Sequence, residues 1–119
     1  MKIRKGFVTN SSSSSFVIAI RDGATKDDIR KELYNHIDVT DVAEWVEQEW
    51  IESENVHELM NDVVDELYDH REGLKIADWN ISCAEFGNEY EDDAKIFLYD
   101  YFECNKIDGE YIKLEGGYR

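Results

Sequence analysis

The residues best suited to chemistry are Ser11, Ser12, Ser13, Ser14 and Ser15, five consecutive hydroxyls and five backbone N–H groups near Lys2, Arg4, Lys5 and Arg21. Successive amides in a turn form a concavity that holds a phosphate or carboxylate. Lys5 and Arg21 beside Ser11 to Ser15 therefore make an expected anion site, for example for a nucleotide. The same tract suits phosphorylation, which adds charge and acceptor oxygens to a hydroxyl. A third reading is a plain polar connection, since serines bond to their own backbone and favour turns. A catalytic serine finds no support. Nucleophilic attack needs a positioned base, the G-x-S-x-G elbow is absent, and nothing pairs His36, His57 or His70 with the run.

Asp62, Glu66 and His70 lie four apart, which on a helix brings their side chains roughly 6 Å from one another along one flank. That spacing could hold a divalent metal, but a solvated acidic face produces it too. The paired histidines of an H-E-x-x-H site are missing. No glycine pattern of the Rossmann or Walker type occurs, and Cys83 and Cys104 show no C-x-x-C spacing. No cofactor and no metal are expected, and a binding module is favoured over an enzyme.

Charge is the strongest functional hint. The 119 residues carry 13 Lys and Arg against 28 Asp and Glu, a net −15. It is unevenly spread: residues 1–24 carry net +3, residues 25–73 net −12 and residues 74–119 net −6. A surface this acidic repels nucleic acid and anionic lipid, so direct binding of either is not expected. No apolar run approaches the roughly 20 residues of a membrane span, and polar residues 9–15 stand where a signal peptide needs an apolar stretch. A soluble, cytoplasmic protein is the expectation.

The elements that position these groups follow from periodicity. Residues 3–8 and 16–21 read as strands joined by a polar loop over residues 9–15, and Phe16 to Ile20 is a short apolar, β-branched run. Thr25 with Asp28 forms a capping box that opens a helix through about Asn35. A second helix is expected from about Thr40 to Ser53, capped by Asp41 with Glu44. Its stripe of Val42, Trp45 and Val46 is interrupted by Glu49, while Trp50 points elsewhere. The third helix is the clearest: from Asn55 as N-cap to about His70, Val56, Leu59, Met60, Val63, Val64 and Leu67 recur at three- and four-residue intervals. Gly73 is expected to cap its C-terminus. Leu74 to Phe86 reads as one strand with Trp79, Ile81 and Cys83 on a common face. A helix from about Glu91 to Glu103 and a short strand Tyr111 to Leu114 complete the chain, Gly116 and Gly117 fraying into a tail. The order β-β-α-α-α-β-α-β predicts one α+β domain over residues 1–119, a mostly antiparallel sheet covered by helices. Its basic arm is 1–24 and its acidic body 25–119. No repeat, proline or linker divides it.

The stretch from Met1 to Ile18, with Gly6-Phe7-Val8-Thr9-Asn10, the serine run and Phe16, resembles the opening of many small uncharacterised proteins of bacteriophages and prophages. Those carry a basic stretch, Gly-Phe-Val-Ser-Asn, a serine run and Phe; Thr9 stands here where Ser is usual. The resemblance covers about the first 20 residues and implies a phage origin within a bacterial host, but no activity. The acidic helices supply the functional expectation: Glu44, Glu47, Glu54, Glu58, Asp62, Asp65 and Asp69, with Trp50 as an aromatic anchor, dock on a basic host or phage protein that itself binds nucleic acid. Helical carboxylates about 6 Å apart approximate the phosphate spacing of a nucleic-acid strand. A structural phage component is a further alternative.

Overall fold

A computed structural model describes residues 13–48, 55–87, 92–102 and 105–118. The strands and helices are β1 (Ser13–Arg21), α1 (Lys26–Asn35), α2 (Val39–Gln48), α3 (Val56–Tyr68), β2 (Leu74–Ile76), β3 (Trp79–Gly87), α4 (Asp93–Phe102), β4 (Ile107–Asp108) and β5 (Ile112–Tyr118). The strands form one antiparallel sheet in the order β2-β3-β1-β5-β4. The expected α+β domain with a helix-covered antiparallel sheet is what the chain forms. The strand expected over residues 3–8 lies outside the described residues.

β1 is the middle strand, and its alternation sets the two faces of the sheet. Phe16, Ile18 and Ile20 are inside, in register with Ala84, Ser82 and Asn80 of β3. Leu114 and Ile112 of β5 oppose Ile18 and Ile20 from the other side. Against this face pack Ile29 and Leu33 of α1, Val42 and Val46 of α2, the α3 stripe, and Phe97, Leu98 and Phe102 of α4. All five expected stripe residues from Leu59 to Leu67 are fully buried, with Val56 at their margin. The Phe16 and Phe86 rings meet with centroids 5.1 Å apart, and Trp45 stands edge-on to Phe97 at 5.3 Å.

Caps fix where the helices start. Thr25 accepts from the Asp28 N–H while the Asp28 carboxylate accepts from the Thr25 N–H, the capping box expected. Asn55 accepts from the Glu58 N–H to start α3. In α2 the cap is Asp38, whose Oδ1 accepts from the Thr40 and Asp41 N–H groups, and not Asp41 with Glu44. Residues 49–53 of that expected helix lie outside the described residues.

Five local expectations are corrected. Ser13, Ser14 and Ser15 are not loop: they extend β1 and pair with Gly87, Phe86 and Glu85. α3 ends at Tyr68, where His70 and Arg71 N–H groups turn back to the Leu67 and Tyr68 carbonyls in a tightened final turn. Gly73 caps nothing; it passes so close to the Ile81 carbonyl of β3 that a Cβ would overlap it. Leu74 to Phe86 is a hairpin and not one strand, because Ala77 (φ 55°) and Asp78 turn the chain between Ile76 and Trp79. Finally, β5 runs on through Gly116 and Gly117, and β4 forms an unanticipated edge hairpin with it.

One buried carboxylate ties α1 to this hairpin. Glu32 accepts from the Tyr111 N–H at 2.6 Å and the Ile112 N–H at 3.1 Å, at the start of β5. Gly109 lies against it, and a Cβ there would push the Glu32 carboxylate out of its hydrogen-bonding position. Replacing Glu32 with Gln sets an NH2 donor against one of those N–H donors, and an unsatisfied buried donor costs about 1–3 kcal/mol. Glu32→Gln is therefore expected to lower the free energy of unfolding in urea by that amount, with Gly109→Ala also destabilising.

Candidate functional site

The acidic surface is built by α3. Its apolar stripe faces the core, so the intervening positions Glu58, Asp62, Asp65 and Asp69 fall on the solvent side, and all four are exposed. Leu59 and Val63 lie next to Glu58 and Asp62 in sequence yet are fully buried, so the same 3.6-residue period that builds the core builds the acidic flank. Glu44 and Glu47 are exposed on α2. Trp50 and Glu54 lie outside the described residues.

The two sides of the flank differ. Toward α1, cations balance it: Lys26 Nζ lies 2.9 Å from Asp65 Oδ1, and Arg30 pairs with Asp27 at 2.6 Å and donates to Asn61. Toward α4, acids accumulate. Asp92 Oδ1 accepts from the Ala94 and Lys95 N–H groups and so begins α4, with Asp93 in the first turn. The Asp62 carboxyl is held above the ordinary aspartate range, first because it is partly withdrawn from water and then by the charges of Asp92, Glu58, Asp65 and Asp93. Asp92 and Asp93 thus join the acidic surface. Sequence periodicity assigns them only to a helix start, because their approach to α3 is a tertiary contact between helices 30 residues apart in the chain.

The metal arrangement weighed for Asp62, Glu66 and His70 is not assembled. Glu66 and His70 bond to one another at 3.2 Å, the His70 ring stands edge-on to Phe86, and its carbonyl accepts from the Ser82 hydroxyl. Among the described residues no group of three or more His, Cys, Asp or Glu side chains is placed to hold a metal ion.

Among the described residues of the expected anion site, Arg21 stands apart from the serines. Ser13 to Ser15 lie at one end of β1 and Arg21 at the other, a separation of roughly 20–27 Å at 3.3 Å per residue. Ser14 is buried at 2% exposure on the core side, so its hydroxyl is not open to modification, whereas Ser15 is exposed on the opposite face. Arg21 is committed locally: its Nε donates to the Glu110 carbonyl, its guanidinium lies 4.4 Å over the Trp79 ring, and Asp78 is 3.8 Å away. Lys5, Ser11 and Ser12 lie outside the described residues. A cleft beside Arg21, of about 420 Å³, is lined by Arg71 and Asn80, but Asp22 and Glu72 offset its two arginines.

No described helix is long and apolar enough to cross a membrane. The chain matches no protein-family model, and no curated protein or solved structure shows significant similarity to it. The acidic flank of α3 and the start of α4 is the surface on which a functional reading rests.

Its electrostatics are testable by themselves. The raised Asp62 pKa means that the folded chain binds this proton more tightly than the unfolded chain does. Its contribution to stability is therefore greatest below the ordinary value of 3.8 and is lost as pH rises through the raised value. Asp62→Asn is expected to unfold at higher urea concentration than the parent near pH 7, with the gap narrowing as the pH approaches about 4.

Proposed function

We propose that the protein is an acidic interaction module that docks the α3–α4 flank on a basic partner, a protein whose own ligand is nucleic acid. The observation that carries this reading is the gathering of exposed Glu58, Asp62 and Asp92 with half-buried Asp93 on one flank, where their charges add to the partial withdrawal of Asp62 from water in raising its pKa. Like charges placed together destabilise the chain that carries them, and a cationic partner that neutralises them recovers that energy on binding. Four-residue spacing along α3 sets carboxylates about 6 Å apart, close to the phosphate interval, so a groove shaped for a nucleic-acid strand fits this flank. Occupying that groove would inhibit the partner. The resemblance of the first 20 residues to phage proteins fits a module acting in the cytoplasm of a bacterial host.

Such binding is electrostatic at its rim and so is screened by salt, the Debye length falling from about 10 Å at 0.1 M to about 3 Å at 1 M. Capture of host proteins on the tagged chain, followed by calorimetric titration of the recovered partner, is expected to show affinity falling steeply between low and high salt. Reversing Glu58, Asp62, Asp65 and Asp69 to Lys should abolish binding while leaving the helical circular dichroism unchanged. Affinity that survives both salt and charge reversal would remove this flank from the binding surface, and direct binding of DNA or RNA at physiological salt would contradict the mimic reading.

A further inference from the structure

On its α4 side the acidic flank is short of cations. Among the described residues no cation pairs with Asp62 or Asp92, and the charges that raise the Asp62 carboxyl are all carboxylates. Arg21, Lys26, Arg30, Lys75 and Lys113 are committed to Asp78, Asp65, Asp27, Asp22 and Asp108 in turn. The segment before Ser13 has the opposite composition: it holds Lys2, Arg4 and Lys5 and no acid, whereas residues 25–73 carry net −12.

The sheet register brings that segment within reach of the flank. Ser13 is paired with Gly87, and cross-strand partners lie about 5 Å apart at Cα. Asp92 follows Gly87 by five residues, which span at most roughly 18 Å, so Ser13 and Asp92 lie within about 23 Å of one another. Lys5 precedes Ser13 by eight residues, a reach of up to roughly 29 Å. Its ammonium, on a flexible four-carbon stem, can therefore meet Asp92, and Arg4 and Lys2 can extend from there to Asp62 and Glu58.

We propose that the basic segment around Lys2, Arg4 and Lys5 docks on the α3–α4 flank of its own chain and occupies the place of the cationic partner until that partner displaces it. This rests on the reading of the flank as the partner's docking surface. Complementary charge selects the occupant, since three cations with no acid among them meet the two carboxylates, Asp62 and Asp92, that no described cation balances. Tethering makes the contact persistent. A short tether presents its charges at an effective concentration in the millimolar range, so ion pairs too weak to hold a separate peptide are populated within one molecule. A basic partner then exchanges with the segment instead of meeting bare carboxylates, which rejects weakly cationic proteins.

Paramagnetic broadening of amide resonances in the full chain tests the proposal. A nitroxide on Ile3→Cys, with Cys83→Ser and Cys104→Ser so that the label has a single attachment point, reports which amides the segment approaches. The expected result at low salt is broadening at Glu58, Asp62, Asp92 and Asp93. It is expected to fade at 1 M salt, where the Debye length is about 3 Å, and on addition of an oligolysine peptide, the probe for the partner's charge. Reversing Lys2, Arg4 and Lys5 to Glu in the labelled chain should remove the broadening, and reversing Glu58 and Asp62 to Lys in that same chain should restore it. Circular dichroism and urea melts establish that each variant is folded.

Broadening that survives reversal of Lys2, Arg4 and Lys5 reflects tethering alone and overturns the proposal. Broadening centred on the sheet, at Val17 or Ile81, overturns it too, as does broadening that oligolysine leaves in place while shifting the flank amides. Mixing isotope-labelled chain with unlabelled chain that carries the nitroxide isolates one further case: broadening in that sample places the segment on a second copy and overturns docking within the chain. None of these measurements uses the partner. Their failure is therefore distinct from failure of the flank as a docking surface, which partner capture and the reversal of Glu58, Asp62, Asp65 and Asp69 decide.

Discussion

The fold depends on β1 holding the middle of the sheet with every second side chain turned to the helices. Phe16, Ile18 and Ile20 are essentially fully buried, and the strand is paired along both edges, with β3 on one side and β5 on the other. Those partners lie roughly 60 to 100 residues away in the chain, so the sheet is held by long-range pairing, with α1, α2 and α3 all falling between β1 and its two partners in the sequence. Glu32 joins the two parts, its carboxylate completing the hydrogen bonding at the start of β5 from the α1 side. A one-residue slip of β1 would exchange Phe16, Ile18 and Ile20 for Ser15, Val17 and Ala19, which is why the register is strongly specified.

What the sequence makes legible is whatever local periodicity controls. The α3 stripe, the capping box at Thr25, the N-cap at Asn55 and the apolar run Phe16 to Ile20 each stand where expected, because side-chain spacing and capping are properties of adjacent residues. The misreadings share the opposite cause. Ser13 to Ser15 look like turn formers, but pairing with Glu85 to Gly87 supplies the hydrogen bonds that serines otherwise seek in their own backbone. Ala77–Asp78 lacks the glycine or asparagine that marks a tight hairpin, so Leu74 to Phe86 reads as continuous. Gly116 looks like a frayed tail, yet it is where the Phe16 ring leaves no room for a side chain.

The same division runs through the functional surfaces. The acids of α3 are visible as the complement of its buried stripe, whereas Asp92 and Asp93 join them only through the approach of α4. Arg21 looks like a free cation next to a serine tract and is instead engaged by Glu110, Asp78 and Trp79 at the far end of the strand. The chain therefore has two unlike sides. Carboxylates dominate the helical one, and the other sheet face mixes apolar residues with Arg21 and Lys113, each beside an aspartate.

All of this rests on β1 being the most stable strand, paired on both edges and inaccessible without unfolding the domain. Native-state hydrogen exchange tests that most directly, since amides that open only with global unfolding reveal themselves by exchange energies that fall with denaturant as steeply as global stability does. Amides of Phe16 to Ile20 are expected to exchange at that global limit, more slowly than those of α2 and of the edge strands β2 and β4. Exchange of Phe16 to Ile20 through a smaller opening that leaves α3 protected would contradict the central place given to β1.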